Sequence, residues 1–172
     1  WVRSGLDAPT VALLPMLAAA AAHSALCEAG VEGLTIKWPN DLLAGGAKIA
    51  GILVHARHSD TAWATVGLGV NLTGAPLIDV PGALPATAVS DHVAGADGQL
   101  LRFEIAAEFL CRFEAALDDP RTALQTWQEN LMHAEGDNLS VRLASGKIVE
   151  GHLAGLTDEG FLRLETAEGE QT

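Results

Sequence analysis

Three clusters between residues 37 and 71 carry the side chains best suited to chemistry. The first is Lys37-Trp38-Pro39-Asn40-Asp41, which brings a cation, an amide and a carboxylate together where the backbone is predicted to leave a strand. The alternative is that Pro-Asn-Asp is ordinary turn chemistry without a functional role. Taken alone, this cluster leaves both interpretations open.

The second cluster, Lys48-Ile49-Ala50-Gly51-Ile52-Leu53, places a lysine in a predicted strand that is otherwise apolar. A lysine there is unfavourable unless its ammonium reaches water or an anion. Gly51 lies in the same strand, and a glycine inside a strand often lets a ligand or another backbone come close. The alternative is an edge-strand lysine that discourages aggregation, with Gly51 at a β-bulge.

The third cluster, Gly67-Leu68-Gly69-Val70-Asn71, has two glycines at alternate positions of a predicted strand. Because alternate residues share a face, that face is bare, and a flat ligand such as an adenine or a ribose could lie on it. The alternative is a helix packed tightly against the bare face. The cluster is not a dinucleotide-binding fingerprint, since residue 72 is leucine and no helix is predicted to begin there.

The elements that must position these clusters form a predicted antiparallel meander. Alternating apolar residues and turn-forming residues indicate strands at residues 34–38, 48–58 and 61–72, with turns at 40–41, 45–46 and 59–60. Helices are predicted at residues 8–29, ended by Gly30, at 100–117 and at about 122–131. Residues 73–98 are predicted to form a long loop with one short helix.

The predicted core follows from apolar periodicity. The helix at 100–117 has one apolar face, formed by Leu101, Ile105, Phe109 and Phe113. Trp63 and Trp127 are interpreted as core anchors. The fold class predicted is α+β, a mixed or antiparallel sheet with flanking helices.

A second, smaller domain is predicted after His133, where the composition changes. Three short alternating runs, at residues 139–143, 147–156 and 161–165, indicate a small β-barrel, SH3-like in size, that lacks its last strand. The sequence therefore predicts two domains, residues 1–133 and 134–172.

Composition excludes several classes of function. With 10 Lys+Arg against 22 Asp+Glu, the formal net charge is −12, which argues against nucleic-acid binding by this segment because phosphates require cations. Cys27 and Cys111 are far apart and form no CxxC or Cys/His group, so neither a disulfide framework nor a metal site is expected, and a cytoplasmic location fits. The apolar run at residues 11–22 is judged too short to span a membrane.

In this order and spacing, the sequences KWPND, KIAGIL and GLGVN resemble the biotin–protein ligase family, whose catalytic domain has a fold like that of class II synthetases. Trp127 followed by the small β-domain also resembles the C-terminal module of that family. The resemblance implies that residues 1–133 are the C-terminal part of the catalytic domain.

The resemblance implies an ATP-dependent activity. Biotin and ATP, together with Mg²⁺, would give biotinyl-5′-adenylate, and the biotinyl group would then pass to a lysine of a carboxyl-carrier domain. Lys48 and Asp41 match catalytic positions: Lys48 contacts the biotin carboxylate and the adenylate, and Asp41 orients the incoming amine or a magnesium ion. The binding positions are matched by Lys37, Asn40, Lys48, Gly51, Gly67, Gly69 and Asn71. A homodimer is an open possibility.

The chain begins with Trp1 and contains no Gly/Arg-rich loop of the kind that binds biotin in this family. We therefore expect a chain truncated at both ends that is inactive by itself, although its parent protein is a ligase. Two alternatives stay open. One is a lipoate–protein ligase, and the other is a non-catalytic binding or scaffolding module that keeps the surface on which the adenylate would lie.

Overall fold

The computed structural model describes residues 1–57, 63–79, 82–95, 97–143, 145–157 and 160–172. It separates into two compact units, Trp1–Leu131 and Met132–Thr172. The predicted turn at 59–60 lies outside the described residues.

The first unit is built around helix α1, Ala8–Glu28. Asp7 caps its start by accepting a hydrogen bond from the backbone N–H of Thr10 at 2.8 Å. Gly30, just beyond its end, has φ of +93°, a conformation that glycine adopts readily. By length and composition α1 could cross a membrane, which corrects the estimate from residues 11–22 alone. However, 61% of its most apolar 18-residue window is buried inside the unit.

A five-stranded antiparallel sheet packs against α1, in the order β1-β5-β4-β3-β2. Its strands are β1 (Val2–Ser4), β2 (Leu34–Lys37), β3 (Asp41–Ala44), β4 (Ala47–Arg57) and β5 (Trp63–Val70). Strands β2, β4 and β5 correspond to the three strands predicted for the meander, whereas β1 and the short β3 were not predicted. The edge of β2 is bonded to the chain after the helices, where Ile36 N–H donates to the carbonyl of Asn130 at 2.7 Å.

Helices α2 (Gly98–Asp118) and α3 (Pro120–Glu129) also pack against α1. The apolar face predicted for α2 is confirmed, since its four residues are all at most 9% exposed. Trp127 of α3 is fully buried, also as predicted, but Trp63 is 38% exposed at the start of β5, so the prediction of a core anchor there is wrong. In its described residues, the long loop contains a 3-10 turn, Val89–Asp91.

The second unit is a four-stranded antiparallel sheet. Its strands, in spatial order, are β6 (Asn138–Arg142), β7 (Ile148–Leu156), β8 (Leu162–Thr166) and β9 (Gly169–Gln171). Three of these were predicted; β9 corrects the expectation that no further strand follows. Its core is small, consisting of Val149, Leu153 and Leu164 with partly buried neighbours. Among the described residues the sheet does not close into a barrel.

Candidate functional site

One transverse row of the first sheet collects residues from all three sequence clusters. Lys37 of β2 pairs with Asp41 of β3, Asp41 pairs with Gly51 of β4, and Gly51 pairs with Gly69 of β5. Paired residues in an antiparallel sheet project from the same face. The row therefore carries a cation and a carboxylate at one end and two glycines at the other.

A β-bulge brings Lys48 to this row. The pairing of β3 with β4 shifts between Leu42, opposite Ala50, and Leu43, opposite Lys48, so that Ile49 is an extra residue. Without the bulge, Lys48 would share the buried face of Ala50 and Ile52, because strand side chains alternate between the two faces. The extra residue changes that alternation and directs the lysine to the opposite face.

Lys48 and Asp41 form an ion pair, with Lys48 Nζ 2.6 Å from Asp41 Oδ1. Both side chains are partly exposed, at 38% for the lysine and 24% for the aspartate. The alternative of an edge-strand lysine is wrong, because the strand of Lys48, β4, lies between β3 and β5 in the sheet. The site thus presents a cation and a carboxylate that both remain accessible from solvent.

Gly51 lies directly beneath the ion pair. A Cβ atom built on Gly51 would lie 3.1 Å from Asp41 Oδ1, from Lys48 Cε and from Lys48 Nζ. The bulge itself is at Ile49, two residues before the glycine. Gly51 is therefore explained by the space that the two charged side chains occupy, rather than by the bulge.

The row borders a cavity of about 550 Å³, within the range usual for small-molecule sites. Its polar lining comes from side chains of the three clusters, namely Asn40, Asp41, Lys48 and Asn71. Gly51 and Gly69 form part of its floor. The remaining lining is apolar, and includes Leu53, which is 60% exposed.

Two asparagines in the cavity wall are hydrogen-bonded to backbone carbonyls. Asn40 Nδ2 donates to the carbonyl of Ile52 at 2.6 Å. Asn71 Nδ2 donates to the carbonyls of Thr87 at 2.9 Å and of Lys48 at 3.3 Å. Since a primary amide has only two N–H donors, Asn71 can contact a ligand only through its Oδ1 oxygen.

Two residues predicted for the site are set apart from this cavity. Lys37 lies in the row through its pairing with Asp41, but it is not among the described residues that line the cavity. Gly67 instead lines a second, mostly apolar cavity of about 430 Å³ beside α2.

The alternative of a helix packed on the bare face is wrong. A Cβ at Gly67 or Gly69 would meet, among described residues, only a strand carbonyl, at 3.8 Å and 3.9 Å respectively. Nothing in the described part of the chain therefore requires glycine at these two positions for packing.

Sequence analysis missed the contribution of the long loop. Pro76, Ile78 and Ala86 line the cavity, and residues 85–87 run along Lys48 as an extension of the sheet. Lys48 N–H donates to the carbonyl of Pro85 at 2.7 Å, and Thr87 N–H donates to the carbonyl of Lys48 at 3.0 Å. The available signal was the length of the loop, since long ordered loops are often functional.

Two known family models match this chain, one in the first unit and one in the second. The model of the Biotin/lipoate A/B protein ligase family matches residues 7–71, which contain all three clusters. The model of the Biotin protein ligase C terminal domain matches residues 139–172 in the second unit. The chain belongs to the biotin protein ligase family.

Curated biotin protein ligases align with most of this chain. The bifunctional ligase/repressor BirA of Bacillus subtilis is 32% identical over 162 residues, covering 91% of the chain and 49% of BirA. The biotin–[acetyl-CoA-carboxylase] ligase of Paracoccus denitrificans is 33% identical over 144 residues, covering 80% of the chain and 59% of the relative. The chain thus spans about half the length of these relatives.

Solved biotin protein ligases share the fold. The apo enzyme from Aquifex aeolicus superposes with a TM-score of 0.74 at 19% identity, covering 99% of this chain and 76% of that chain. The Aquifex aeolicus ligase in complex with biotin and ATP gives a TM-score of 0.70, also at 19% identity, covering 99% and 73%. The mixed α+β architecture with antiparallel sheets is therefore that of biotin protein ligases.

Proposed function

We propose that the protein to which this chain belongs joins biotin to a lysine of a carrier protein, with biotinyl-5′-adenylate as the intermediate. The observation that carries the proposal is Lys48, held beside Asp41 over a glycine floor in a cavity large enough for a nucleotide. The names of the relatives and the solved complex with biotin and ATP support the choice of substrates.

In the first step, a carboxylate oxygen of biotin attacks the α-phosphorus of ATP, and the bond to the leaving pyrophosphate breaks. Two anions approach each other in this step, so a cation at the reacting phosphate lowers the barrier. Lys48 is the cation that lines the cavity among the described residues. We assign it the role of neutralising charge at the α-phosphate and contacting the biotin carboxylate.

In the second step, the amine of the carrier lysine attacks the acyl carbon, and AMP leaves with the electrons of the broken C–O bond. Asp41 is the carboxylate beside Lys48 and we assign it the role of orienting this amine. Mg²⁺ would accompany the ATP phosphates, since this ion is usually held by one or two carboxylates and by substrate phosphates.

The remaining site residues are assigned to binding. Gly51 and Gly69 would lie under the adenylate, with Asn40 and the Oδ1 atom of Asn71 in the wall. Lys37 would act at longer range, through its position beside Asp41. Gly67 borders the neighbouring cavity and would have the weakest effect on adenylate binding.

The wider assignments belong to the same proposal. The first unit would be the C-terminal part of the catalytic domain, and the four strands of the second unit would belong to an SH3-like barrel. The partner would be a biotin carboxyl-carrier domain, in the cytoplasm. Neither nucleic acid nor a membrane would bind this segment, and a homodimer is consistent with the proposal.

The proposal is tested by titrating the 172-residue chain calorimetrically with a non-hydrolysable biotinyl-adenylate analogue. We expect Lys48→Ala to weaken binding by about ten-fold or more, because a hydrogen bond to a charged group contributes about 1.5–3 kcal/mol. Lys147→Ala, in the second unit, serves as the matched control and should leave binding unchanged. Equal affinities for the Lys48→Ala chain and the unmodified chain would overturn the role of Lys48.

The same titration separates the alternatives. Tighter binding of a lipoyl-adenylate analogue than of the biotinyl analogue would favour lipoate as the substrate, and a folded chain that binds neither would contradict the assignment of the cavity. We further expect no biotin-dependent ATP–pyrophosphate exchange by this chain alone, because its sequence has no Gly/Arg-rich loop. Clear exchange would mean that these 172 residues contain a complete adenylation site.

A further inference from the structure

Asn71 donates hydrogen bonds to two backbone carbonyls at the β-bulge that directs Lys48 into the cavity. Its backbone N–H donates to the carbonyl of Ile49, the extra residue of the bulge, at 2.9 Å. Its side-chain amide donates to the carbonyl of Lys48, the residue before Ile49, at 3.3 Å. One asparagine therefore bonds two consecutive carbonyls of the irregular segment.

The same side chain also fixes the loop segment that runs beside Lys48. Asn71 Nδ2 donates to the carbonyl of Thr87 at 2.9 Å, and Val89 N–H donates to the carbonyl of Asn71 at 2.8 Å. Thr87 N–H in turn donates to the carbonyl of Lys48 at 3.0 Å. The backbone of Lys48 is thus held between β3 and residues 85–87, and Asn71 bonds both to that backbone and to the carbonyl of Thr87.

Such an anchor is needed because the regular ladder between β4 and β5 ends at the pair of Ala50 and Val70. Beyond that pair, Ile49 and Lys48 have no partner in β5. A bulge leaves its extra residue out of the ladder, so its carbonyl must be satisfied by another group. The backbone N–H of Asn71, the residue after β5, satisfies the carbonyl of Ile49, and the side chain of Asn71 adds a bond to the neighbouring carbonyl of Lys48.

We propose that Asn71 is a positioning residue: its side-chain amide ties the carbonyl of Lys48, next to the bulge at Ile49, to the carbonyl of Thr87 and so keeps the Lys48 ammonium at Asp41, inside the cavity. The importance of that position rests on the function proposed above. This role is distinct from contact between Asn71 and the adenylate, which only the Oδ1 atom could make. It gives Asn71 an effect on Lys48 even when no ligand is bound.

The chain is well suited to a direct test, because it has only three lysines, Lys37, Lys48 and Lys147. Their ε-carbon signals can be followed by NMR in protein labelled with ¹³C-lysine, and assigned with Lys37→Arg and Lys147→Arg chains. Asp41→Asn defines the position of the Lys48 signal without its ion pair. We expect Asn71→Ala to move the Lys48 signal to that position and to leave the Lys147 signal unmoved.

The control is Asn130→Ala, which removes another partly buried amide that donates to a backbone carbonyl, that of Thr126 at 2.8 Å. We expect the Lys48 signal of this variant to stay where it is in the unmodified chain. A folded Asn71→Ala chain whose Lys48 signal also stays there would overturn the proposal. The measurement needs no ligand, so it can succeed or fail independently of the adenylation proposal.

If Asn71→Ala does not fold, the unmodified chain decides the question. Both side-chain amide protons of Asn71 should then exchange with solvent more slowly than those of Asn138, which lies exposed in β6. Fast exchange of either proton would contradict the proposal, because it would mean that one of the two carbonyls is not bonded by Asn71. Slow exchange of both supports it.

Discussion

At the scale of single residues, Gly51 shows how a backbone position can depend on two side chains above it. A methyl group there would stand 3.1 Å from atoms of both Lys48 and Asp41. These atoms are the ends of flexible side chains, so they can move aside at small cost. The expected consequence of a larger residue is a displaced ion pair in an intact fold.

We predict that Gly51→Ala changes the free energy of unfolding by less than about 1 kcal/mol, since Gly→Ala also reduces the freedom of the unfolded chain. Binding of the biotinyl-adenylate analogue should weaken several-fold, as calorimetry would show. Gly74→Ala is the control, because a Cβ at Gly74 meets nothing within 4 Å among the described residues. A Gly51→Ala chain with unchanged affinity would show that the ion pair need not stay in place.

At the scale of secondary-structure elements, the packing of α1 on β2 buries a titratable group. His23 of α1 is only 8% exposed, and its Nε2 atom lies 3.4 Å from the carbonyl of Leu34 in β2. Burial lowers the pKa of His23 below its ordinary value of 6.5, and the contact with Leu34 opposes this effect only in part. The packing of these two elements therefore favours neutral imidazole.

The sign of the pH dependence follows from this lowered pKa. Below about pH 6.5 the unfolded chain takes up a proton at His23 more readily than the folded chain, so stability falls as the pH is lowered. The contribution of His23 is fully present above that pH. Neighbouring Cys27 does not titrate in this range, because burial raises the pKa of its thiol.

We predict that His23→Gln, which stays neutral, flattens the loss of unfolding free energy between about pH 6.5 and pH 5. Tryptophan fluorescence during urea unfolding measures this free energy for the unit that contains His23, because all four tryptophans lie in the first unit. His152→Gln, in the second unit, is the control and should keep the slope. An unchanged slope in the His23→Gln chain would contradict the assignment of this effect to the buried histidine.

At the scale of the whole molecule, the two units differ strongly in the size of their cores. Within the described residues, the second unit buries three hydrophobic side chains, Val149, Leu153 and Leu164, while the first buries long faces of α1 and α2 and the inner face of a sheet. Stability rises with buried apolar area, so the second unit is expected to unfold first.

We predict that Leu153→Ala lowers the urea midpoint of the earlier of two transitions in far-ultraviolet circular dichroism, the one that the second unit contributes, and leaves the midpoint from tryptophan fluorescence unchanged. Leu17→Ala, an equally buried leucine of α1, should lower the fluorescence midpoint instead. Each change typically costs about 2–5 kcal/mol in a core. If both variants shift both signals together, the chain unfolds as one cooperative body and the prediction is wrong.

The sequence by itself determined most elements and the chemistry available to them. Helical periodicity located α2 and its buried face, and turn-forming residues separated β4 from its neighbours, because both signals are local to the chain. The motifs also indicated the family, which the matches to residues 7–71 and 139–172 confirmed. Short strands such as β1 and β9 escaped detection, since three residues carry almost no periodic signal.

Only the tertiary structure decided which of those residues meet. The register across three strands aligned Asp41 with Gly51 and Gly69, and one bulged residue turned Lys48 from the core to the cavity. Residues 85–87 joined the site through backbone hydrogen bonds, which any side chains could have allowed. Exposure of Trp63 likewise depends on its place near the end of a strand. Register, bulges and backbone pairing arise from contacts between distant segments, so no local pattern encodes them.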